Sequence, residues 1–300
     1  VSAAPSPTPY PLQGVVAWNM NTTCNYRCSY CTQRFVDDRR QRSRDVHAFV
    51  AGLVALPGDW EVKLSGGEPF RHPRFIEAVQ GLAAGGVTVS VVTNFSDKRE
   101  VLRQFADITA ARPGVVSASL HLEYADVAEF VEKAAWFADL YAGSFNVTCV
   151  ATRESLPVLE GLKRRFELAG VRFKIQPEKQ DRDVIAYSAE ERVQLVALGG
   201  HNATGRVAPS FSGLPCWAGA RSFILDHEGH AWRCYPARRQ RTEYLGNLLD
   251  GTLRLHEQAQ ACLYAYCNCT VPQERGMMDT SAGRDAQAPD PESRWPSPAM

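Results

Sequence analysis

The chain has 300 residues, 45% of them hydrophobic and 22% charged, enough to bury one large core or a core with an appendage. Lys plus Arg and Asp plus Glu both total 33, so the formal net charge is zero and nothing predicts an electrostatic hold on nucleic acid. The longest apolar runs fall far short of the roughly 20 residues that span a bilayer. VSAAPSPTPYPLQG at the start has neither the basic nor the apolar region of a signal peptide, so a cytoplasmic location is expected. There the nine cysteines are reduced thiols, and clustered ones are metal ligands before they are disulfides.

In chain order, residues 1–13 hold four prolines among small polar residues and are expected to form an irregular arm. GVVAWNM (14–20) is short and apolar, as a buried parallel strand is. Cys24, Cys28 and Cys31 follow it at C-x3-C-x2-C spacing, with the aromatic Tyr30 just before the third. Soft thiolates converging from one loop suit metal chemistry, and three of them leave one iron of a four-iron cluster without a protein ligand. A zinc site is the alternative, but zinc usually takes C-x2-C pairs and four ligands, and the nearest candidate donor is His47.

A charged linker, DDRRQRSRD (37–45), leads to a helical pattern over Val46–Leu56. Then come strand WEVKLS (60–65), the turn GGEPFRHP and a helix over Arg74–Ala84 that stops at Gly85-Gly86. Strand VTVSVVT (87–93) precedes a helix near 97–106, and strand VVSASLH (115–121) precedes an amphipathic helix over Ala125–Tyr141. Strand SFNVTCVA (144–151), a helix over Leu156–Ala169 and strand VRFKIQP (171–177) complete the series. This alternation predicts an α/β fold, an open (βα)6 partial TIM-like barrel over 14–198 whose strand ends share one face.

On that face Gly66, Gly67, Glu68 and Pro69 directly follow the second strand. Two glycines let backbone approach a ligand closely while a carboxylate stands beside it. The three-cysteine loop, with GGEP some 35 residues later, resembles the signature of the radical S-adenosylmethionine (SAM) superfamily. The resemblance implies a 4Fe-4S cluster on Cys24, Cys28 and Cys31, with SAM on the open iron. It places Tyr30, Gly66, Gly67, Glu68 and Pro69 at SAM, Glu68 on the amino group. Thr93, Asn94, Ser119 and His121 lie where family members contact ribose and carboxylate, and Gln176 ends strand six. Read as residues alone, Asn94 is equally a helix cap, Ser119 a satisfied barrel hydroxyl and Lys63 a solvent-facing side chain. His121, Glu123, Lys174, Glu178 and Lys179 are candidates for holding substrate. Cys149 reads as a small buried hydrophobe, or as a hydrogen-atom donor if it faces the barrel.

Residues 178–192 are rich in charge and open a short helix through Leu198, and 199–213 read as a linker. A second module over 214–270 carries Cys216, Cys234, Cys262, Cys267 and Cys269. RSFILD, HEGH and AWRCY predict a β-hairpin, and C-x12-G-x4-C over Cys216–Cys234 resembles the opening of SPASM and twitch domains. The resemblance implies an auxiliary 4Fe-4S cluster enclosed by the hairpin and a helix over Thr252–Ala261. Its ligands would be Cys216, Cys234, Cys267 and either Cys262 or Cys269, although zinc also suits four thiolates. Residues 271–300 read as a mobile tail.

The implied activity is reductive cleavage of SAM to methionine and a 5′-deoxyadenosyl radical that abstracts hydrogen from a substrate. An external donor such as flavodoxin or ferredoxin would supply the electron. Only 13 residues precede the first strand, which favours a small-molecule substrate such as a sugar, nucleoside or antibiotic precursor over a peptide. A ribosomal-peptide maturase is the alternative, and a non-enzymatic zinc or iron–sulfur scaffold is the alternative of another class. The C-terminal Gly-Arg-Arg motif of the molybdenum-cofactor cyclases is missing, which sets that reading aside.

Overall fold

A computed structural model of the protein describes residues 13–33, 45–180, 183–198, 211–264, 267 and 275–278. Strands β1 (Gln13–Asn21), β2 (Asp59–Gly66), β3 (Thr88–Thr93), β4 (Pro113–Leu120), β5 (Ser144–Ala151) and β6 (Phe173–Pro177) lie side by side in sequence order, all parallel. Helices α1 (Val46–Val54), α2 (Phe75–Ala84), α3 (Arg99–Thr109), α4 (Val127–Leu140) and α5 (Leu156–Leu168) make the five crossovers. This is the expected α/β architecture, and the sheet is open, as in a partial TIM-like barrel.

The strands carry two different faces, as a period of two requires. Trp18, Val62, Leu64, Val89, Val116 and Val147 are buried in one continuous core beneath the helices. Their neighbours Lys63, Ser65, Ser117, Ser119 and Thr148 fall on the other face, where Ser117 Oγ bonds Asn146 Oδ1 at 3.0 Å. Helix starts are fixed locally. Asp45 and Asp126 accept from His47 N and Glu129 N, and Ser188 and Glu191 form a capping box at the start of α6 (Ala189–Ala197). Between β6 and α6 a two-residue ribbon pairs β7 (Lys179–Gln180) with β8 (Asp183–Val184).

The C-terminal cysteine module is joined to the barrel sheet. Short β9 (Pro215–Cys216) is followed by the expected hairpin of β10 (Ser222–Leu225) and β11 (His230–Trp232), turning at Gly229 with φ +86°. After α7 (Tyr235–Gln240) comes β12 (Tyr244–Asn247). β10 pairs in parallel with β1, Val16 opposite Phe223, so the sheet runs to nine strands in the order β12-β11-β10-β1-β2-β3-β4-β5-β6.

Two expectations are corrected. No helix forms over Thr252–Ala261. The backbone there is committed to tertiary partners, with Leu253 N on Asn247 O (3.1 Å), Arg254 N on Leu245 O (2.7 Å) and His256 N on Gly219 O (2.8 Å), and it ends in β13 (Gln260–Ala261) against β9. Within the expected mobile tail, residues 275–278 are packed. Met277 is fully buried against Val15 and Trp217, its carbonyl accepts from Trp217 N at 2.8 Å, and Arg275 pairs with Glu61 of β2 at 2.6 Å. The expectations for residues 1–12, 34–44, 199–210, 268–274 and 279–300, Cys269 included, lie outside the described residues. Among the described residues no helix is long and apolar enough to cross a membrane.

Candidate active site

The three-cysteine loop leaves the end of β1, and its root is bonded to the turn after β2. Gly67 N donates to Asn21 O (3.0 Å) and Glu68 N to Thr23 O (2.8 Å), while Asn21 Nδ2 returns a bond to Glu68 O (2.9 Å). The two backbones approach too closely for a side chain. A Cβ on Gly66 would lie 2.3 Å from Asn21 O, and one on Gly67 2.1 Å from Thr23 O; Gly66 also has φ +128°. The glycines therefore let the cysteine loop sit on the GGEP turn.

Glu68 turns inward. It is 1% exposed, and its carboxylate accepts from Phe70 N (3.1 Å), Thr93 Oγ1 (2.8 Å) and Asn94 N (2.6 Å), which ties the β2 turn to the end of β3. Burial pushes its carboxyl up to about 7, against the pull of those three donors. Neither Glu68 nor the buried Pro69 lines the adjoining cavity. The side chain expected on the amino group of SAM is a buried brace between two strand ends.

That cavity, of about 470 Å³, opens beside the carboxyl ends of the strands. Cys24, Cys28 and Cys31 line it together with Gly66, Gly67, Thr93, Asn94, Ser119 and His121, so most of the expected contacts converge there. Asn94 is also tied to the cysteine loop through Asn25 Oδ1 at 2.9 Å. Lys63 lines the cavity too, on the same strand face as Ser65, where the sequence left it open to water. Tyr235 reaches in from α7; no local pattern marks it, because its position depends on the β10–β1 pairing. Burial, and next Glu123, push the Cys28 thiol up to about 11, and burial raises Cys24 as well. Thiolates at these positions need a cation beside them, and the iron of a cluster answers that need.

A second cavity of about 720 Å³ adjoins the first across Cys31, which lines both. Ser29, Tyr30, Thr152, Arg153, Glu154, Glu178, Lys179, Gln180 and Arg239 of α7 contribute to its walls. Tyr30 is turned toward this side, stacked on His121 with ring centroids 6.0 Å apart and its hydroxyl 2.9 Å from His121 Nδ1. Burial and the neighbouring Glu154 raise Glu178 above the usual carboxylate range. The other candidates fall elsewhere. Lys174 and Gln176 of β6 pair with Thr148 and Val150 of β5 and line neither cavity. Glu123 is bound to Ser29 of the cysteine loop. Cys149 lies in the core beneath the helices, with burial pushing its thiol up to about 12, which overturns the barrel-facing hydrogen-donor reading. His47 sits on an exposed face of α1, 2.6 Å from Glu77, and is no fourth ligand for the loop.

Cys216, Cys234, Cys262 and Cys267 line one small enclosed space of about 30 Å³. Beside it Arg233, 3% exposed, donates to Ala218 O (3.0 Å), Ala261 O (3.0 Å), Gln260 O (2.7 Å) and Glu243 Oε1 (2.6 Å), fastening the strands that carry these cysteines. Burial pushes Cys234 up to about 12. Among the described residues no group of three or more His, Cys, Asp or Glu side chains is placed to hold a single metal ion.

Over residues 18–135 the chain matches the model of the Radical SAM superfamily. That stretch runs from β1 into α4 and contains both the cysteine loop and the GGEP turn. A probable GTP 3′,8-cyclase of Thermococcus kodakarensis (strain ATCC BAA-918 / JCM 12380 / KOD1) is 29% identical over 106 residues. The match takes in 34% of this chain and only about a third, 33%, of that relative. Among solved structures, SuiB of Streptococcus suis, bound to the precursor peptide SuiA, superposes with a TM-score of 0.58 at 14% identity. It covers 82% of this chain and 65% of SuiB. The anSMEcpe structure with bound AdoMet and Kp18Cys peptide superposes at 0.55 with 16% identity, covering 80% of this chain and 78% of its own. The chain thus shares the fold of these structures over about four-fifths of its length.

Proposed function

We propose that the protein is a radical SAM enzyme that takes a hydrogen atom from a polar small molecule seated in the second cavity. The observation that carries this is the convergence of Cys24, Cys28 and Cys31 with Gly66, Gly67, Asn94 and Ser119 on one cavity within the family-matched stretch. When bound, a 4Fe-4S cluster and SAM supply one-electron cleavage of a carbon–sulfur bond and so hydrogen-atom abstraction. The chain supplies position. Cys24, Cys28 and Cys31 would hold the cluster, Lys63, Thr93, Asn94, Ser119 and His121 line the space that SAM would take, and Tyr235 closes the side toward the C-terminal module. An external one-electron donor such as flavodoxin or ferredoxin would supply the electron, which suits a reducing compartment such as the cytoplasm.

The second cavity has the size of a small-molecule site, roughly 300–1,000 Å³, and its walls bear charges of both signs. A peptide is the second reading, favoured by the peptides held in the SuiB and anSMEcpe structures. Cys216, Cys234 and Cys267 would hold an auxiliary 4Fe-4S cluster in a twitch-like module, with Cys262 or Cys269 as the fourth ligand; that Cys262 lines one small space with the first three supports it for that role. The test is anaerobic reconstitution with iron and sulfide, then SAM and a reductant. Eight irons and release of 5′-deoxyadenosine are expected, with about four irons lost and the rest retained in Cys262→Ala. Zinc binding with intact SAM would sink the proposal.

A further inference from the structure

We infer that Glu123 and Tyr124, on the segment leaving β4, are positioning residues that clasp the cysteine loop between its first and third cysteines and bias the electron affinity of whatever cluster it holds. The inference rests on the cluster reading of that loop given above. Glu123 accepts from Ser29 N at 3.0 Å and from Ser29 Oγ, so both polar groups of the residue after Cys28 are held by one carboxylate. Tyr124 Oη accepts from Arg27 N, the residue before Cys28, at 2.9 Å. The Tyr124 ring stacks on Tyr26 with centroids 4.3 Å apart and planes 8° from parallel. His121, two residues before Glu123, brings Nδ1 to 3.3 Å from Cys28 Sγ and 2.9 Å from Tyr30 Oη.

The four-residue segment thus grips residues 26–30 from one side, while Asn94 and Ser96 hold Asn25 from the other, at 2.9 and 3.0 Å. Glu123 and Tyr124 line neither cavity, so their contacts serve the loop and not a ligand. The clasp also has an electrical consequence. A carboxylate beside Cys28 disfavours added negative charge on a cluster, and by occupying Ser29 N it keeps that donor from a cluster sulfur. Net charge and hydrogen bonds to sulfur are two of the levers that set cluster potentials. Both here act in one direction, toward a more strongly reducing cluster.

The experiment uses the full chain with both cysteine sites loaded with iron, in the parent, Glu123→Gln, Glu123→Ala and the pair Glu123→Ala/Tyr124→Phe. Iron loss to a chelator and the midpoint potential of the three-cysteine cluster, followed by its paramagnetic signal, are measured with the melting temperature. The pair should lose iron from the three-cysteine site at least fivefold faster, with melting temperature and the iron of the four-cysteine site unchanged. Glu123→Gln retains an acceptor for Ser29 and should keep iron nearly as well as the parent, yet shift the potential upward, though by less than Glu123→Ala, which removes the charge and also frees Ser29 N. Parent-like iron retention and potential in the pair would overturn the clasp while leaving the enzyme reading intact. Full iron content and SAM binding in Cys24→Ala/Cys28→Ala/Cys31→Ala would overturn the reading on which it rests.

Discussion

Gly67→Ala is the smallest change that separates the cysteine loop from the turn that supports it. The new methyl would lie 2.1 Å from Thr23 O and 2.5 Å from Thr23 C, where ordinary contact begins at 3.4 Å, so one backbone must retreat by more than about 1 Å. That retreat breaks Gly67 N to Asn21 O and Glu68 N to Thr23 O, two bonds that at about 1 kcal/mol each cost the loop root roughly 2 kcal/mol. A 1 Å displacement of a reacting geometry costs on the order of 100-fold in rate. The variant should therefore bind SAM at least tenfold more weakly by equilibrium dialysis and release 5′-deoxyadenosine about 100-fold more slowly. Gly161→Ala is the control. Its methyl meets nothing within 4 Å in the middle of α5, and it should stabilise by about 1 kcal/mol without touching SAM binding. A Gly67→Ala protein that binds and cleaves SAM like the parent would refute the argument that the glycines exist for loop contact.

Two further outcomes follow from buried carboxylates. Glu68 is raised from 4.5 to about 7, so the folded chain binds more protons than the unfolded one between those values, and this contribution to stability is lost as pH rises through that window. Glu68→Gln should flatten the fall in urea midpoint between pH 5 and 7, a difference of about 3 kcal/mol at most; an unchanged slope would show that Glu68 is not the titrating group. Arg275→Ala leaves Glu61, 2% exposed, with Ser90 as its remaining partner and should cost roughly 2 kcal/mol in urea unfolding, discounted because Arg275 is itself one-third exposed. Glu61→Gln on top of it should restore most of the loss, and additive losses would refute the pairing.

Six strands, their helices and the three-cysteine loop were legible because the cues were local: apolar runs of strand length, Gly-Gly after α2 and cysteine spacing. The direction of side chains at the site was less so. Cys149 is separable from the barrel face by parity, since Asn146 and Thr148 alternate with Val147 and Cys149, a signal present in SFNVTCVA but outweighed by the reactivity of a thiol. Glu68 was not legible, because only the return of β3 brings Thr93 Oγ1 and Asn94 N to its carboxylate. Thr252–Ala261 has helix-forming residues, yet its N–H groups find Leu245, Asn247 and Gly219 carbonyls from a neighbouring strand and turn, and tertiary pairing overrides weak propensity. Tyr235 and the clasp of Glu123 and Tyr124 depend on contacts between distant segments that no window of sequence contains.

The parallel pairing of β10 with β1 also governs how the chain can be divided. A fragment cut before Cys216 would keep all six barrel strands and every residue of the three-cysteine loop, yet it would strip β1 of its partner along Val15–Trp18. Those four residues are at most 5% exposed in the intact protein, and uncovered they form an apolar edge ready to recruit another chain. For expression, truncation or grafting, the barrel and the hairpin behind it are one unit, and the place to cut is not where the composition changes.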